Sequence, residues 1–269
     1  MVPTPPPVIA FDKVNLAFDE KVVLRGVSFA VPKGRTKIIL GASGPGKSTI
    51  LKIIVGLLRA DSGTVFVNGE RVDRLRESQL MKVRADLGLI FQEGALFDSL
   101  TVRENVGYKY YEESDVPLEQ VDDRVKEVLG FMGLDQHVDK MPSELSGGQR
   151  RRVAIARSMA FKPGILLYDE ATTGLDPITA ITVDDEIVKL RDLEGVTSIV
   201  VTHQLRDAFY VATKTAVRDA SGNVSIVDAP PEKVDETEFI MLKDGLICFE
   251  GNADELRHSD DPYLKQFLS

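Results

Sequence analysis

The run Gly41-Ala42-Ser43-Gly44-Pro45-Gly46-Lys47-Ser48-Thr49 fits the pattern G-x-x-x-x-G-K-[ST] at every fixed position. Glycines at Gly41, Gly44 and Gly46 let the backbone turn tightly and aim N–H groups inward. The result is a concave donor nest that a following helix reinforces with its dipole. A polyphosphate fits such a nest. Lys47 supplies a point charge for its terminal phosphates, and the Ser48 hydroxyl suits Mg²⁺, a hard cation that prefers oxygen ligands. Ser43 and Thr49 complete the motif, and Pro45, which has no N–H to donate, is expected at the rim of the nest.

Other residues with chemical capacity lie far along the chain. Ile165-Leu166-Leu167-Tyr168-Asp169-Glu170 is an apolar run ending in two acids. A carboxylate at the C-terminal end of a parallel strand points into the crevice where open α/β sheets bind ligands. Asp169 is expected to serve Mg²⁺ through water and Glu170 to orient or deprotonate an attacking water. His203 follows the apolar run Thr197 to Thr202 and could hydrogen-bond near the terminal phosphate; a lone histidine is more often structural, and only its place in this series raises it. Gln92 follows the apolar run Leu87 to Phe91, and its neutral amide can accept from a metal-bound water while donating elsewhere. Leu145-Ser146-Gly147-Gly148-Gln149, followed by Arg150, Arg151, Arg152 and Arg157, offers a hydroxyl, bare N–H groups and a positive helix end to an anion. A simple helix cap would explain the serine but not two glycines where helix propensity disfavours them. Thr173-Gly174-Leu175-Asp176-Pro177 reads as a loop entering a helix, with proline at a favourable first position.

The elements that must position these residues follow from periodicity. Thr36 to Leu40 reads as a buried strand and Ser48 to Leu58 as a helix, with apolar Ile50, Leu51, Ile54 and Leu58 at helical spacing. Val8 to Phe18 and Val22 to Val31 alternate as two strands around Asp19-Glu20-Lys21, and Gly63 to Gly69 is a further strand closed by an Asn-Gly turn signal. Phe18, at a strand end, could stack on a nucleobase or be an ordinary phenylalanine. From about Leu96 to Ala160 the apolar positions recur at helical spacing with no clear strand. The expected architecture is therefore α/β: a P-loop NTPase core with a mostly parallel sheet, an antiparallel β layer, and an α-helical subdomain inserted at about 94–160.

Length and composition set bounds. The 269 residues are 43% hydrophobic, enough for one large domain with a subdomain. A formal net charge of -9 disfavours a nucleic-acid partner, which would require an excess of Lys and Arg. The single cysteine, Cys248, excludes an internal disulfide, suits a reducing compartment and is expected to be a buried small apolar residue. Residues 1–7 hold four prolines and no secretory signal, and no run approaches the ~20 apolar residues needed to cross a bilayer.

Together these motifs resemble the nucleotide-binding subunit of an ATP-binding cassette (ABC) transporter over residues 8–257. The resemblance implies ATP and Mg²⁺ as ligands. It makes Gly41 to Thr49 the Walker A loop, Gln92 the Q-loop glutamine and Ser146, Gly147, Gly148 and Gln149 the signature. Asp169 then ends Walker B, Glu170 is the catalytic carboxylate, Asp176 the D-loop aspartate and His203 the switch histidine, with Phe18 at the adenine-stacking position. It also implies a head-to-tail homodimer and integral membrane permease subunits, at the cytoplasmic face of a bacterial inner membrane.

A narrower resemblance rests on Phe91 to Val102, Asn105-Val106, Met141-Pro142-Ser143-Glu144, Asp176 to Thr179 and Asp260-Asp261-Pro262. These stretches are similar to the ATPases of Mla/Mce lipid transporters, which implies a phospholipid cargo, a lipid-binding Mce-type subunit and a small cytoplasmic accessory subunit. An importer for amino acids or another small polar solute shares every catalytic motif and stands as the alternative. The acidic segment at about 218–238 departs from that group, and residues 258–269 are read as a C-terminal tail after the cassette.

Overall fold

A computed structural model describes residues 6–42, 44–92, 94–113 and 116–268. The chain opens with a hairpin of β1 (Pro7–Phe18) and β2 (Lys21–Pro32), turning through Asp19 and Glu20. β3 (Thr36–Leu40), α1 (Gly46–Ile54), β4 (Ser62–Val67), the short β5 (Glu70–Arg71), α2 (Glu77–Arg84) and β6 (Leu87–Ile90) follow. Next come three helices, α3 (Val102–Glu113), α4 (Leu118–Phe131) and α5 (Gly147–Met159). The chain then alternates through β7 (Ile165–Asp169), α6 (Pro177–Glu194), β8 (Thr197–Val201) and α7 (Leu205–Thr213). It ends with β9 (Lys214–Arg218), β10 (Val224–Asp228), α8 (Pro231–Val234), β11 (Thr237–Lys243), β12 (Leu246–Gly251), α9 (Ala253–Arg257) and α10 (Pro262–Leu268).

The central sheet has the order β12-β11-β3-β8-β7-β6, parallel throughout except for β12 at its edge. A second sheet, β2-β1-β4-β5, is antiparallel. This is the α/β architecture expected, with its mostly parallel sheet and antiparallel layer.

The central strands are apolar on both faces because both faces are covered. Ile38 and Leu40 of β3, Leu166 and Tyr168 of β7, and Phe239 and Met241 of β11 enter one core; Ile39, Ile165, Leu167, Ile240 and Leu242 enter the other. The period of two in strand side chains thus divides the interior. The first core is shared with Val106 of α3, Val121, Val125, Val128 and Leu129 of α4, Val153 of α5 and Ile187 of α6. The second is closed by α1 and the antiparallel sheet, where the Phe11 and Phe29 rings stack at 4.6 Å. Among the described residues no strand falls between β6 and β7, and no helix is long and apolar enough to cross a membrane.

Some expectations differ from the fold. The helix after the glycine loop begins at Gly46, not Ser48, and ends before Gly56, whose φ of +69° turns the chain out of the helix. Leu58 still packs in the core, so its apolar spacing reported burial, not helix. Cys248 is exposed: β12 is an edge strand, and Cys248 lies on its outer face. The acidic segment at 218–238 is folded in part as the β9–β10 hairpin and α8. Asp192 of α6 anchors that hairpin by accepting hydrogen bonds from Thr215 Oγ1 and the Ala216 N–H, both at 2.9 Å.

Candidate functional site

Strand order brings the dispersed motifs together. β3, β8, β7 and β6 are consecutive parallel neighbours, so Gly41, His203, Glu170 and Gln92 all leave the same edge of the sheet. That edge is the crevice outside the carboxyl ends of the strands.

Gly41 has a φ of +153°, and a Cβ there would overlap the Leu242 carbonyl. Only glycine lets the loop leave β3 so close to β11. Pro45 precedes α1 as its N-cap, and its carbonyl accepts the Thr49 N–H at 3.0 Å. Thr49 is buried within α1, and Lys47 is only 2% exposed. Lys47 Nζ donates to the Gly41 and Ala42 carbonyls at 3.0 and 2.9 Å and lies 3.9 Å from Glu170 Oε1. Burial pulls the Lys47 ammonium below its usual range, opposed by the negative charges of Glu170 and then Asp169.

Ser48 Oγ donates to Asp169 Oδ1 at 2.7 Å. Burial raises the Asp169 carboxyl; the Ser48 hydrogen bond opposes that rise and the neighbouring Glu170 charge adds to it. Glu170 stands at a φ of +50°, a left-handed conformation unusual for a non-glycine residue and found where a site fixes the backbone. Its N–H donates to the Val201 carbonyl at 2.9 Å, tying β7 to the end of β8. Thr173 Oγ1 donates to Glu170 Oε2 at 3.2 Å, and His203 Nδ1 lies 3.2 Å from Glu170 Oε1. Lys47, Ser48, Asp169, Glu170 and His203 therefore form one constellation.

Beside it lies a cavity of about 400 Å³, lined by Lys21, Val22 and Val23, by Gly44 to Lys47, and by Leu242 to Gly245 with Tyr263. Phe18 stands across the turn from Lys21 and is 43% exposed, outside that lining. Gln92 is exposed just beyond β6. Ser43 lies outside the described residues.

The Ser146–Gln149 stretch stands apart from this constellation. Ser146 and Gln149 form a reciprocal cap: Ser146 Oγ accepts the Gln149 N–H at 3.3 Å, and Gln149 Oε1 accepts the Ser146 N–H at 2.8 Å. Gln149 Nε2 also meets His137 Nε2 at 2.9 Å, so its side chain is occupied within the chain. A Cβ on Gly148 would overlap the Thr179 side chain, which accounts for that glycine by the packing of α5 on α6. Gly147 contributes backbone at the first position of the helix.

The arginines after this cap do not form an open basic face. Arg150 donates to Leu145 O at 2.6 Å, Arg152 to Met132 O at 2.9 Å, and Arg157 to Ala95 O and Gly94 O at 2.8 and 3.1 Å. Arg151, 8% exposed, donates to Phe91 O at 3.1 Å and Thr173 O at 3.2 Å, linking α5 to the segments that carry Gln92 and Glu170. Asp176 is the N-cap of α6, accepting the Ile178 and Thr179 N–H groups at 3.1 Å each. The Thr179 side chain first, and then these N–H bonds, hold its carboxyl below the usual range.

Sequence reasoning missed Tyr263 and the contacts made by Thr173 and Arg151. Thr173 sits within a motif already singled out, three residues after Glu170, but Tyr263 and Arg151 act through non-local contacts that no local pattern reports.

The family model for ABC transporters matches residues 24–173, which carry the glycine loop, Gln92, Ser146 to Gln149, Asp169 and Glu170. The chain belongs to the ABC transporter family. This ABC cassette binds ATP and is an ABC-type ATPase, the nucleotide-binding subunit of a transporter. It is 38% identical over 95% of its length to the chloroplast protein TRIGALACTOSYLDIACYLGLYCEROL 3 of Arabidopsis thaliana, 72% of which is covered. It is 36% identical to the methionine import ATP-binding protein MetN of Bifidobacterium longum, over 94% of this chain and 66% of that protein. It is 32% identical to the intermembrane phospholipid transport system ATP-binding protein MlaF of Escherichia coli, over 95% and 86% respectively. Among solved structures, the dimeric, post-hydrolysis cassette MJ0796 with bound ADP and Pi superposes with a TM-score of 0.74, at 29% identity, over 91% of this chain and 98% of that one. CbiO1 of Clostridium perfringens, part of a transporter complex, gives 0.78 at 26% identity over 98% and 95%.

Proposed function

We propose that this cassette powers lipid transport, phospholipid in particular, of the Mla/Mce type through a partner permease. The observation carrying this reading is that two relatives named for lipids, one bacterial and one chloroplast, each align over 95% of the chain. Methionine or another small polar solute is the second reading, favoured by the equally long likeness to MetN.

In the proposed cycle Lys47 leaves the Gly41 and Ala42 carbonyls for the terminal phosphates, and the nest of Gly44, Gly46 and Ser48 N–H groups holds them. Glu170, braced by Thr173 and beside His203, orients the attacking water and takes its proton. Fixed donors around the γ-phosphate stabilise the charge spread over it in the transition state. Phe18 stacks on adenine, and Gln92 senses the phosphates.

The Ser48 hydroxyl and Asp169 carboxylate, 2.7 Å apart, are hard oxygen donors suited to Mg²⁺. Among the described residues no cluster of three His, Cys, Asp or Glu forms an all-protein metal cage. That fits an ion held by one or two side chains and substrate oxygens. When bound it would neutralise phosphate charge.

Because Ser146 to Gln149 lie apart from Lys47, a second copy placed head to tail would bring its Ser146 hydroxyl and Gly147 and Gly148 amides over this ATP, with Asp176 at the interface. Mce-type and accessory subunits complete the proposed assembly, on the cytoplasmic face of the inner membrane.

Purifying the cassette with its permease and identifying bound small molecules by mass spectrometry tests the substrate. Phospholipid in the complex, together with ATPase activity stimulated by phospholipid, is expected. Methionine, or a polar solute in its place, would overturn the lipid reading and leave the ATPase intact.

A further inference from the structure

One buried side chain joins the two loops that flank the proposed reaction. Arg151 of α5 is 8% exposed, and the two arms of its guanidinium go to different segments: Nη1 donates to the Phe91 carbonyl at 3.1 Å and Nη2 to the Thr173 carbonyl at 3.2 Å. The first carbonyl immediately precedes Gln92, and the second belongs to the turn that follows Glu170. Thr173 is itself tied to Glu170 twice, since its N–H donates to the Glu170 carbonyl at 3.1 Å and its Oγ1 to Glu170 Oε2 at 3.2 Å. A displacement of the Thr173 backbone therefore reaches the carboxylate through one residue.

Arg151 is not what keeps the segment after β6 on α5. Arg157, on the same helix, donates to Gly94 O and Ala95 O, and the Phe91 carbonyl already accepts the Gly94 N–H at 2.9 Å. What Arg151 adds is its second arm. A guanidinium is a rigid planar fork, so carbonyls bonded to its two arms are held at a fixed spacing, which a lysine's rotatable ammonium does not impose. Glu170, with its φ of +50°, also needs surroundings that hold its backbone. We propose that Arg151 is a positioning residue for hydrolysis: it fixes the Thr173 turn against the Gln92 segment and, through Thr173 Oγ1, sets where the Glu170 carboxylate stands. This rests on the reading of Glu170 as the general base. α5 carries the Ser146–Gln149 stretch at its start and Arg151 further along, so the stretch proposed to meet a second copy's ATP is mechanically joined to the aim of Glu170 in its own site.

The test uses the full chain with three substitutions. Arg151→Met keeps the length and loses both bonds, Arg151→Lys keeps the buried cation and loses the fork, and Thr173→Val loses the hydroxyl but keeps the carbonyl. Phosphate release gives kcat and KM, and calorimetry gives affinity for a non-hydrolysable ATP analogue. Misplacing a reacting group by about 1 Å costs about 100-fold, so kcat should fall about 10- to 100-fold in Arg151→Met and by less in Arg151→Lys. KM and analogue affinity should stay within about twofold of the parent. An arginine that served stability alone would not produce that split. Combined with Thr173→Val, Arg151→Met should cost less than the product of the two separate falls, because both act on one contact. Parental kcat in Arg151→Met, a loss carried by KM, or falls that multiply would overturn the proposal. If the methionine variant does not fold, Arg151→Lys decides by the same split and the same cycle. Glu170→Gln, run alongside, keeps the two claims apart. Parental turnover there withdraws the general base and this role with it, whereas lost turnover there beside parental kcat in the Arg151 variants overturns this role alone.

Discussion

Asp184 of α6 is 1% exposed, and its Oδ2 has no hydrogen-bond partner in the structure. Burial first, then the negative charge of Asp207 on α7, push its carboxyl from the ordinary 3.8 up to about 8; Arg206 opposes this rise and Asp185 adds to it. Asp207 cannot move aside, because it accepts hydrogen bonds from Thr172 Oγ1 and the Arg206 guanidinium. The folded protein therefore keeps a proton on Asp184 that the unfolded chain gives up above about pH 4. Where the native state binds more protons, stability falls as pH rises, by about 1.4 kcal/mol per unit for one full proton. From about pH 5 to about pH 8 the loss from this residue has a ceiling of about 4 kcal/mol, flattening above its folded pKa. Asp184→Asn removes the titration. Denaturant unfolding of both proteins across that range should give a stability difference that widens in favour of the amide as pH rises and nearly closes toward about pH 4. Parallel curves would show that Asp184 ionises normally in the fold and would refute the reasoning.

Three further outcomes follow from the site. Glu170→Gln should bind ATP while hydrolysis falls by about two orders of magnitude or more, the range for a lost general base, measured by phosphate release; parental turnover would remove Glu170 from its role. Lys47→Ala should weaken analogue binding at least tenfold by calorimetry, because a buried charge-assisted contact of about 1.5–3 kcal/mol is lost. Close after Gln92, Leu96 packs against the core while Phe97 is exposed, its ring tilted against that of Tyr108 with centroids 4.4 Å apart, which makes Phe97 an apolar contact that a permease could cover. Phe97→Asp should therefore lower co-purification with the permease while ATP affinity holds, and an undiminished complex would count against that contact.

What the sequence disclosed depended on how local the physics was. The glycine loop, the two acids after β7 and the histidine after β8 are each written in one short stretch, because a backbone nest and a strand end are local objects. The central strands announced themselves as apolar runs since both faces are buried. The function of side chains that reach across the fold was hidden. Arg150, Arg151, Arg152 and Arg157 read as a charged face but donate to backbone carbonyls, three of them to other segments, and the close approach of Gly148 to Thr179 of α6 has no local signal. Cys248 read as buried because its neighbours are apolar, yet an edge strand leaves one face to solvent.

The free site is held near electrostatic balance by its own residues. Lys47 is buried at a desolvation cost that lowers its pKa, and the nearby carboxylates of Glu170 and Asp169 offset only part of that cost. Asp169, in turn, is raised by burial and by Glu170 and is relieved by Ser48. A polyanion entering the nest gives Lys47 a stronger counter-charge than two carbonyls and a carboxylate 3.9 Å away. It also brings more negative charge toward Asp169 and Glu170, which a divalent cation would offset. The lysine favours nucleotide and the acid pair opposes it, so tight binding here depends on cation and nucleotide arriving together. In the proposed cycle the same acids, once balanced, would hold the attacking water. Charge repulsion before nucleotide arrives and the proposed proton abstraction afterwards would thus both follow from placing Glu170, in its left-handed backbone, directly after Asp169.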